Sequence, residues 1–370
     1  MTENPFKFGK IVVGPDFIGR ERELKEIGSD VRSSQNVILY SRRRLGKSSL
    51  INELFRRMED DVIPVYVDMY NVWTVEDLVE ELIGRTLSKA YGPMEKAISM
   101  AGEALRSLRP RIILESGAIH VEVEHLRRDH DLKEALNFPQ KVAEKKGKRV
   151  IVAFDEFQEI THLDGDQLER AMRSVLQHHD KVSYIFAGSR THMLKEIFEH
   201  KDRAFYHFGK IMTMGNIETT DFKPAIMARF ESTTGSIPVS IVERVLEVTR
   251  GHPYNTQQLC HELWYMSLEG ALKVDSIEAA LEKVIEHKND LYEHIWNSMR
   301  SSVQKELLVA LAEDQSMDIY SQSAIAKYQL KSSSNVQKAY NALVKKDLLE
   351  GTEYTDPMFR AWILDRISKP

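Results

Sequence analysis

The sequence predicts an α/β core on a parallel sheet, followed by a helical domain and a winged helix. Three observations predict it. An apolar strand, Val37-Ile-Leu-Tyr40, runs through a tight basic loop into a helix beginning near Ser49. A second apolar run, Arg149-Val-Ile-Val-Ala-Phe154, ends in two acids, Asp155 and Glu156. After Gly215 strand signals give way to helical periodicity. Continuous apolar runs suit strands covered on both faces, the condition inside a parallel sheet.

The elements follow in order. Asn4–Gly14 reads as extended and partly apolar. Gly19 breaks the chain before an amphipathic helix that is acidic at its start, Glu21 to Ile27, which complements the helix dipole. Ile63–Asp68 is a second strand, and Val75, Leu78, Val79, Leu82 and Ile83 follow at helical spacing. Met94–Leu108 reads as helical, and Arg111–Leu114 with Ala118–Val123 alternates like a hairpin around Ser116-Gly117. That insertion is either a partner surface or a cover for the sheet edge. Asp131–Lys145 reads as the helix leading into the acid-bearing strand. Lys181–Ser189 is a further apolar strand ending in polar residues.

Beyond Gly215, Glu218–Thr233, Pro238–Thr249, Pro253–Leu268 and Asp275–His287 read as helices. Then come helices Ser301–Glu313, Ser321–Tyr328 and Ser332–Lys346, with two short strands around Gly351, the order of a winged helix-turn-helix. The expected domains are therefore residues 1–215, 216–290 and 291–370.

The loop carries the chemistry. Gly46-Lys47-Ser48 closes a phosphate-binding pattern, G-x-x-x-x-G-K-[ST], with Ser41 in place of the first glycine. Loop amides and a helix N-terminus converge on one spot and favour an anion there. Lys47 would reach the β- and γ-phosphates, and the Ser48 hydroxyl would coordinate Mg²⁺. Carboxylates at the C-terminal end of a parallel strand lie in the crevice where such sheets bind ligands. Asp155 would hold the Mg²⁺ through its water shell, and Glu156 would polarise the attacking water. The strand Lys181–Ser189 resembles the one that carries a polar γ-phosphate sensor in P-loop ATPases of the additional-strand type, which implies Ser189 as the sensor, with Arg190 second; otherwise Ser189 caps the helix starting near Thr191. The loop arginines Arg42, Arg43 and Arg44 compete with Arg203 as an arginine finger or form a solvated basic loop.

Composition bounds the rest. At 370 residues, two or three domains are expected. With 42% hydrophobic and 29% charged residues the chain is ordinary for a globular protein. No apolar run approaches the roughly 18 residues that span a bilayer, and the N-terminus lacks a signal peptide's apolar core. Cys260 is the single cysteine, so no intrachain disulfide forms, which suits a reducing cytoplasm; it reads as a buried helical position. A net charge of −5 gives no global pull toward nucleic acid.

Taken jointly, Phe17-Ile-Gly-Arg-Glu21, the Leu39–Ser48 loop, Phe154-Asp-Glu-Phe157, Gly188-Ser189, Thr249-Arg-Gly-His-Pro-Tyr254 and Thr355–Trp362 resemble the archaeal-type ATPase family, within the signal-transduction ATPases with numerous domains (STAND), relatives of the AAA+ class. The resemblance covers nearly the whole chain. It implies a P-loop sheet of the additional-strand type, with the sensor strand between the loop strand and the acid strand, a helical lid and a C-terminal winged helix. ATP and Mg²⁺ are its implied ligands. The loop residues Ser41, Arg42, Arg43, Arg44, Leu45, Gly46, Lys47, Ser48 and Ser49 would bind nucleotide. Ile18, Gly19 and Arg20 resemble the segment that meets adenine and ribose, and Pro253 the lid residue that packs near the base. Arg250 resembles a lid sensor.

Three functions follow as expectations: an ATP-hydrolysing switch, slow without a partner; a DNA-binding ATPase resembling replication initiators, reading through Ser332–Lys346; or a weakly active ATP-dependent scaffold. The switch would act with ATP and ADP, and with a protein partner or a second copy. No N-K-x-D guanine signature favours GTP.

Overall fold

The computed structural model describes residues 3–91, 99–102, 104–105, 108, 110–115, 118–123 and 129–368. The helix expected over Met94–Leu108 falls in large part outside them. The chain forms two compact units, residues 11–215 and residues 1–10 with 216–370.

The first unit is built on a five-stranded parallel sheet. Its strands are β1 (Val37–Ser41), β2 (Val62–Asp68), β5 (Arg149–Asp155), β6 (Val182–Gly188) and β7 (Lys210–Met214), in the order β2-β5-β6-β1-β7. Strand β6, expected to carry the sensor, thus separates the loop strand β1 from the acid strand β5, as the resemblance implies. Helices α1 (Glu21–Arg32), α2 (Lys47–Met58), α3 (Val75–Ala90), α4 (Asp129–Leu136), α5 (Phe138–Lys146), α6 (Gly165–Leu176) and α7 (Thr191–Glu199) accompany it. The insertion forms an antiparallel hairpin, β3 (Arg111–Glu115) with β4 (Ala118–Glu122).

Both faces of the sheet are covered, which explains the unbroken apolar runs. Val37, Leu39, Ile151, Ala153 and Ile185 pack with Leu24 and Ile27 of α1 and Leu50 and Leu54 of α2. Ile38, Tyr40, Phe154, Tyr184 and Phe186 face the opposite layer, where Phe157, Phe198 and Phe205 join an aromatic cluster. The single helix expected over Asp131–Lys145 is in fact two, α4 and α5, parted at Asn137 where Pro139 enters the first turn of α5. Strand β7 was not anticipated.

The second unit contains α8 (Thr219–Glu231), α9 (Val239–Thr249), α10 (Pro253–Glu269), α11 (Ser276–His287), α12 (Asn289–Asn297), α13 (Ser302–Glu313), α14 (Gln322–Lys327), α15 (Ser333–Lys345) and α16 (Pro357–Arg366), with the wing β8 (Leu349–Glu350) and β9 (Glu353–Tyr354). Ser321 and Ser332 cap α14 and α15 by accepting from the amides of Ala324 and Asn335. The N-terminal segment belongs here. Phe6 is buried against Phe230, and Phe8 meets Tyr254 and His261 edge-on.

A buried polar knot joins the lid helices to the winged helix. Asp356 accepts from Asn255 Nδ2 at 2.8 Å and from Tyr292 OH at 2.9 Å, while its own helix α16 gives it the Met358 amide. Lys288 Nζ donates to Asn255 Oδ1 at 3.2 Å. Burial opposes ionisation of Asp356, but the Lys288 charge and these donors hold its carboxyl below the usual range. Gly251 is fixed by backbone geometry: its φ is +69°, and an added Cβ would stand 2.1 Å from the Ile217 carbonyl oxygen. Gly251→Ala should therefore destabilise the protein by about 3 kcal/mol, read as a lowered denaturant midpoint.

Candidate active site

The three central strands, β5, β6 and β1, deliver the site at their C-terminal ends. Strand β1 ends at Ser41, which is buried and donates its hydroxyl to the Arg42 carbonyl at 2.9 Å. The left-handed positions of the loop are Arg44 (φ 64°) and Gly46 (φ 86°). Ser41 is outside that region, so the glycine missing there is not needed for conformation. Gly46 starts α2, and no side chain caps that helix.

Lys47 and Ser48 open α2 and face the acids of β5. Lys47 Nζ lies 3.1 Å from Asp155 Oδ1 and donates to Glu156 Oε1 at 2.8 Å. Ser48 Oγ donates to Asp155 Oδ2 at 2.5 Å. Ser189, at the end of β6, donates its hydroxyl to Glu156 Oε2 at 2.8 Å. It does not cap the following helix, whose N-cap is Arg190. Lys47, Ser48, Asp155, Glu156 and Ser189 are therefore brought together in space.

Burial opposes the charge on Glu156, yet Lys47, Gln158 and Ser189 outweigh it and hold the carboxyl down to about 2. Glu156 also takes a left-handed φ of 51°, a strained conformation for a side-chain-bearing residue. Two neighbours went unread in the sequence. Tyr66 on β2 donates its hydroxyl to Asp155 Oδ2 at 2.6 Å. Gln158 donates to Glu156 Oε2 from the turn Phe157–His162. Asp68, in register with Asp155, has its carboxyl raised by burial first and then by the charges of Asp155 and Glu156.

Arg20 ties the start of α1 to the loop and to the end of the unit, donating to the carbonyls of Leu45 at 3.3 Å and Gly215 at 2.5 Å. Ile18 and Leu45 are buried, and Gly19 takes φ 64°. Ser49 Oγ accepts from the Val12 amide. Arg42 is half-buried; Arg43 and Arg44 are exposed. Arg203 is clamped by buried Glu169 with Asp166 and Glu196 nearby, the environment of a structural arginine. On the second unit, Pro253 begins α10, and Arg250 pairs with Glu353 of the wing at 3.1 Å.

The donors fit Mg²⁺. Ser48 and Asp155 offer hard oxygen ligands at the loop, and Mg²⁺ is commonly held by one or two such groups together with substrate phosphates. Among the described residues there is no cluster of three or more His, Cys, Asp or Glu that would form an all-protein cage.

Sheet order, loop and paired acids together define a P-loop nucleoside triphosphatase fold. A model of the ATPase domain predominantly from Archaea matches residues 17–259, so the chain belongs to that family. A model of a probable winged helix domain matches residues 290–365. No curated protein matches the sequence. Among solved structures, the chain is similar to the Walker-type ATPase PABY2304 of Pyrococcus abyssi, with TM-score 0.64 and 17% identity over 97% of this chain and 99% of that one. It is also similar to the ORC2 protein of Aeropyrum pernix in its ADPNP–ADP complexes, with TM-score 0.57 and 10% identity over 100% and 99%. These likenesses show the fold. No helix among the described residues is long and apolar enough to cross a membrane.

Proposed function

We propose that the protein is an ATP-hydrolysing switch in which nucleotide state sets the arrangement of the lid, residues 216–290, and the winged helix, residues 291–370. The observation that carries this reading is the ion-paired set Lys47–Asp155–Glu156 with Ser48 on Asp155. Without nucleotide, Lys47 neutralises both acids. With ATP bound, the loop amides and Lys47 would grip the phosphates, and Ser48 and Asp155 would hold Mg²⁺. Bound there, the ion would neutralise charge that develops on the phosphates. Glu156 orients a water for in-line attack on the γ-phosphorus, and Ser189 keeps Glu156 in place. Binding can drive a rearrangement only through contacts that differ between the two states, and the γ-phosphate supplies that difference. Solution mass with ADP and with a slowly hydrolysed ATP analogue, alongside phosphate release, tests the reading. Identical behaviour with both nucleotides and no phosphate release would overturn it.

A second reading, DNA binding, is favoured by one face of α15. Asn335, Lys338, Asn341 and Lys345 are exposed there, with Lys346 just beyond, and all are base or phosphate partners. Gln337 on the same face already accepts from Tyr320 OH. Binding to duplex DNA should then weaken steeply with salt; no binding by the full chain at low salt would eliminate it.

A further inference from the structure

Gln158 lies two residues beyond Glu156 and is 1% exposed. Its Nε2 donates to Glu156 Oε2, the oxygen that also accepts from the Ser189 hydroxyl at 2.8 Å and the Ser189 amide at 3.3 Å. Its remaining amide atom, Oε1, is buried with no hydrogen-bond partner among the described residues. An unpaired buried carbonyl is unfavourable, so packing alone does not account for a glutamine here. The reverse amide orientation would aim an oxygen at a carboxylate, so the chemistry fixes which end faces Glu156.

Strand β6 is shaped around this residue. A Cβ added at Gly188 would come within 2.1 Å of Gln158 Oε1 and 2.8 Å of Leu194 Cδ1. Glycine at 188 thus admits the glutamine, while serine at 189 meets the same carboxylate from the other side. The Gly188-Ser189 pair and the Glu156-x-Gln158 spacing form one device.

We infer, resting on the ATPase reading above, that Gln158 is the positioning residue for Glu156. With Ser189 it pins Oε2 and leaves Oε1 as the working oxygen. In this structure Oε1 accepts from Lys47. During hydrolysis Oε1 faces the attacking water. It accepts the proton as the water oxygen bonds to the γ-phosphorus and the bond from the γ-phosphorus to the β–γ bridging oxygen breaks, leaving the electron pair on ADP.

Two measurements test this on the full chain. In the first, phosphate release by Gln158→Leu is followed beside analogue binding. The kcat should fall about tenfold or more, while nucleotide affinity should hold within about twofold. Ser189→Ala should lower kcat in the same way. Wild-type kcat in Gln158→Leu, or a loss of affinity that matches the fall in kcat, would overturn the inference. The second needs no activity. Gly188→Ala should lower the denaturant midpoint in the wild type and much less in a Gln158→Ala background; additive losses would overturn the paired device. A wild type that binds ATP without releasing phosphate would defeat the hydrolysis reading alone, and the second measurement would then decide on Gln158.

Discussion

Replacing Lys47 with alanine should abolish phosphate release and weaken ATP binding about 100-fold or more. Lys47 is 6% exposed and is the ammonium held between Asp155 and Glu156. Removing one partner of a buried ion pair strands the other charge, a loss of about 3–5 kcal/mol. The nucleotide-free protein should reveal this through pH. In the wild type the Glu156 carboxyl is depressed from 4.5 to about 2. Its contribution to stability is complete above the unfolded value and disappears as pH falls from about 4.5 toward 2. Without Lys47, burial of Glu156 is opposed by Gln158 and Ser189 alone, its folded pKa rises, and the loss of stability on acidification should shrink in Lys47→Ala. Calorimetric melting across pH, with analogue titration at pH 7, measures both effects. A variant with wild-type affinity and the wild-type acid slope would contradict the site.

Glu156→Gln should slow hydrolysis by about 10²–10⁴-fold while leaving ATP bound. The amide keeps the shape of the side chain and loses the base. A second consequence comes from the ion pairs. ATP competes with the two carboxylates for Lys47, and the amide withdraws one competitor. Affinity should therefore rise as turnover falls. Single-turnover hydrolysis and equilibrium binding separate the two, and a joint loss of binding and rate would mean that Glu156 acts as a structural anchor.

The nucleotide-facing half of the molecule was legible because its signals are local. An apolar run, a turn glycine and a charged helix start are adjacent in sequence, and so are β5 and its two acids. The wing was legible from alternation around Gly351. What escaped depends on distance. Tyr66 reaches Asp155 because β2 lies beside β5, a pairing that no short window contains. Strand β7 carries Lys210, Ile211 and Thr213 with partial exposure, and it lacks the apolar continuity of the other strands. Helix α16 did announce itself, since Asp356 caps it and Pro357 occupies its first position, but Thr355–Trp362 read as a motif and its helical start was overlooked. Arg203 looked available until folding supplied Glu169. Gln158 stood beside the acids all along; its role depends on a neighbour, Gly188, from another strand.

The lone sulfhydryl offers a practical gift. Cys260 lies wholly inside α10, and burial pushes its thiol well above the normal range. Alkylating dyes can reach it only when those helices part, so the natural chain carries its own clock for breathing motions, with no background labelling to subtract.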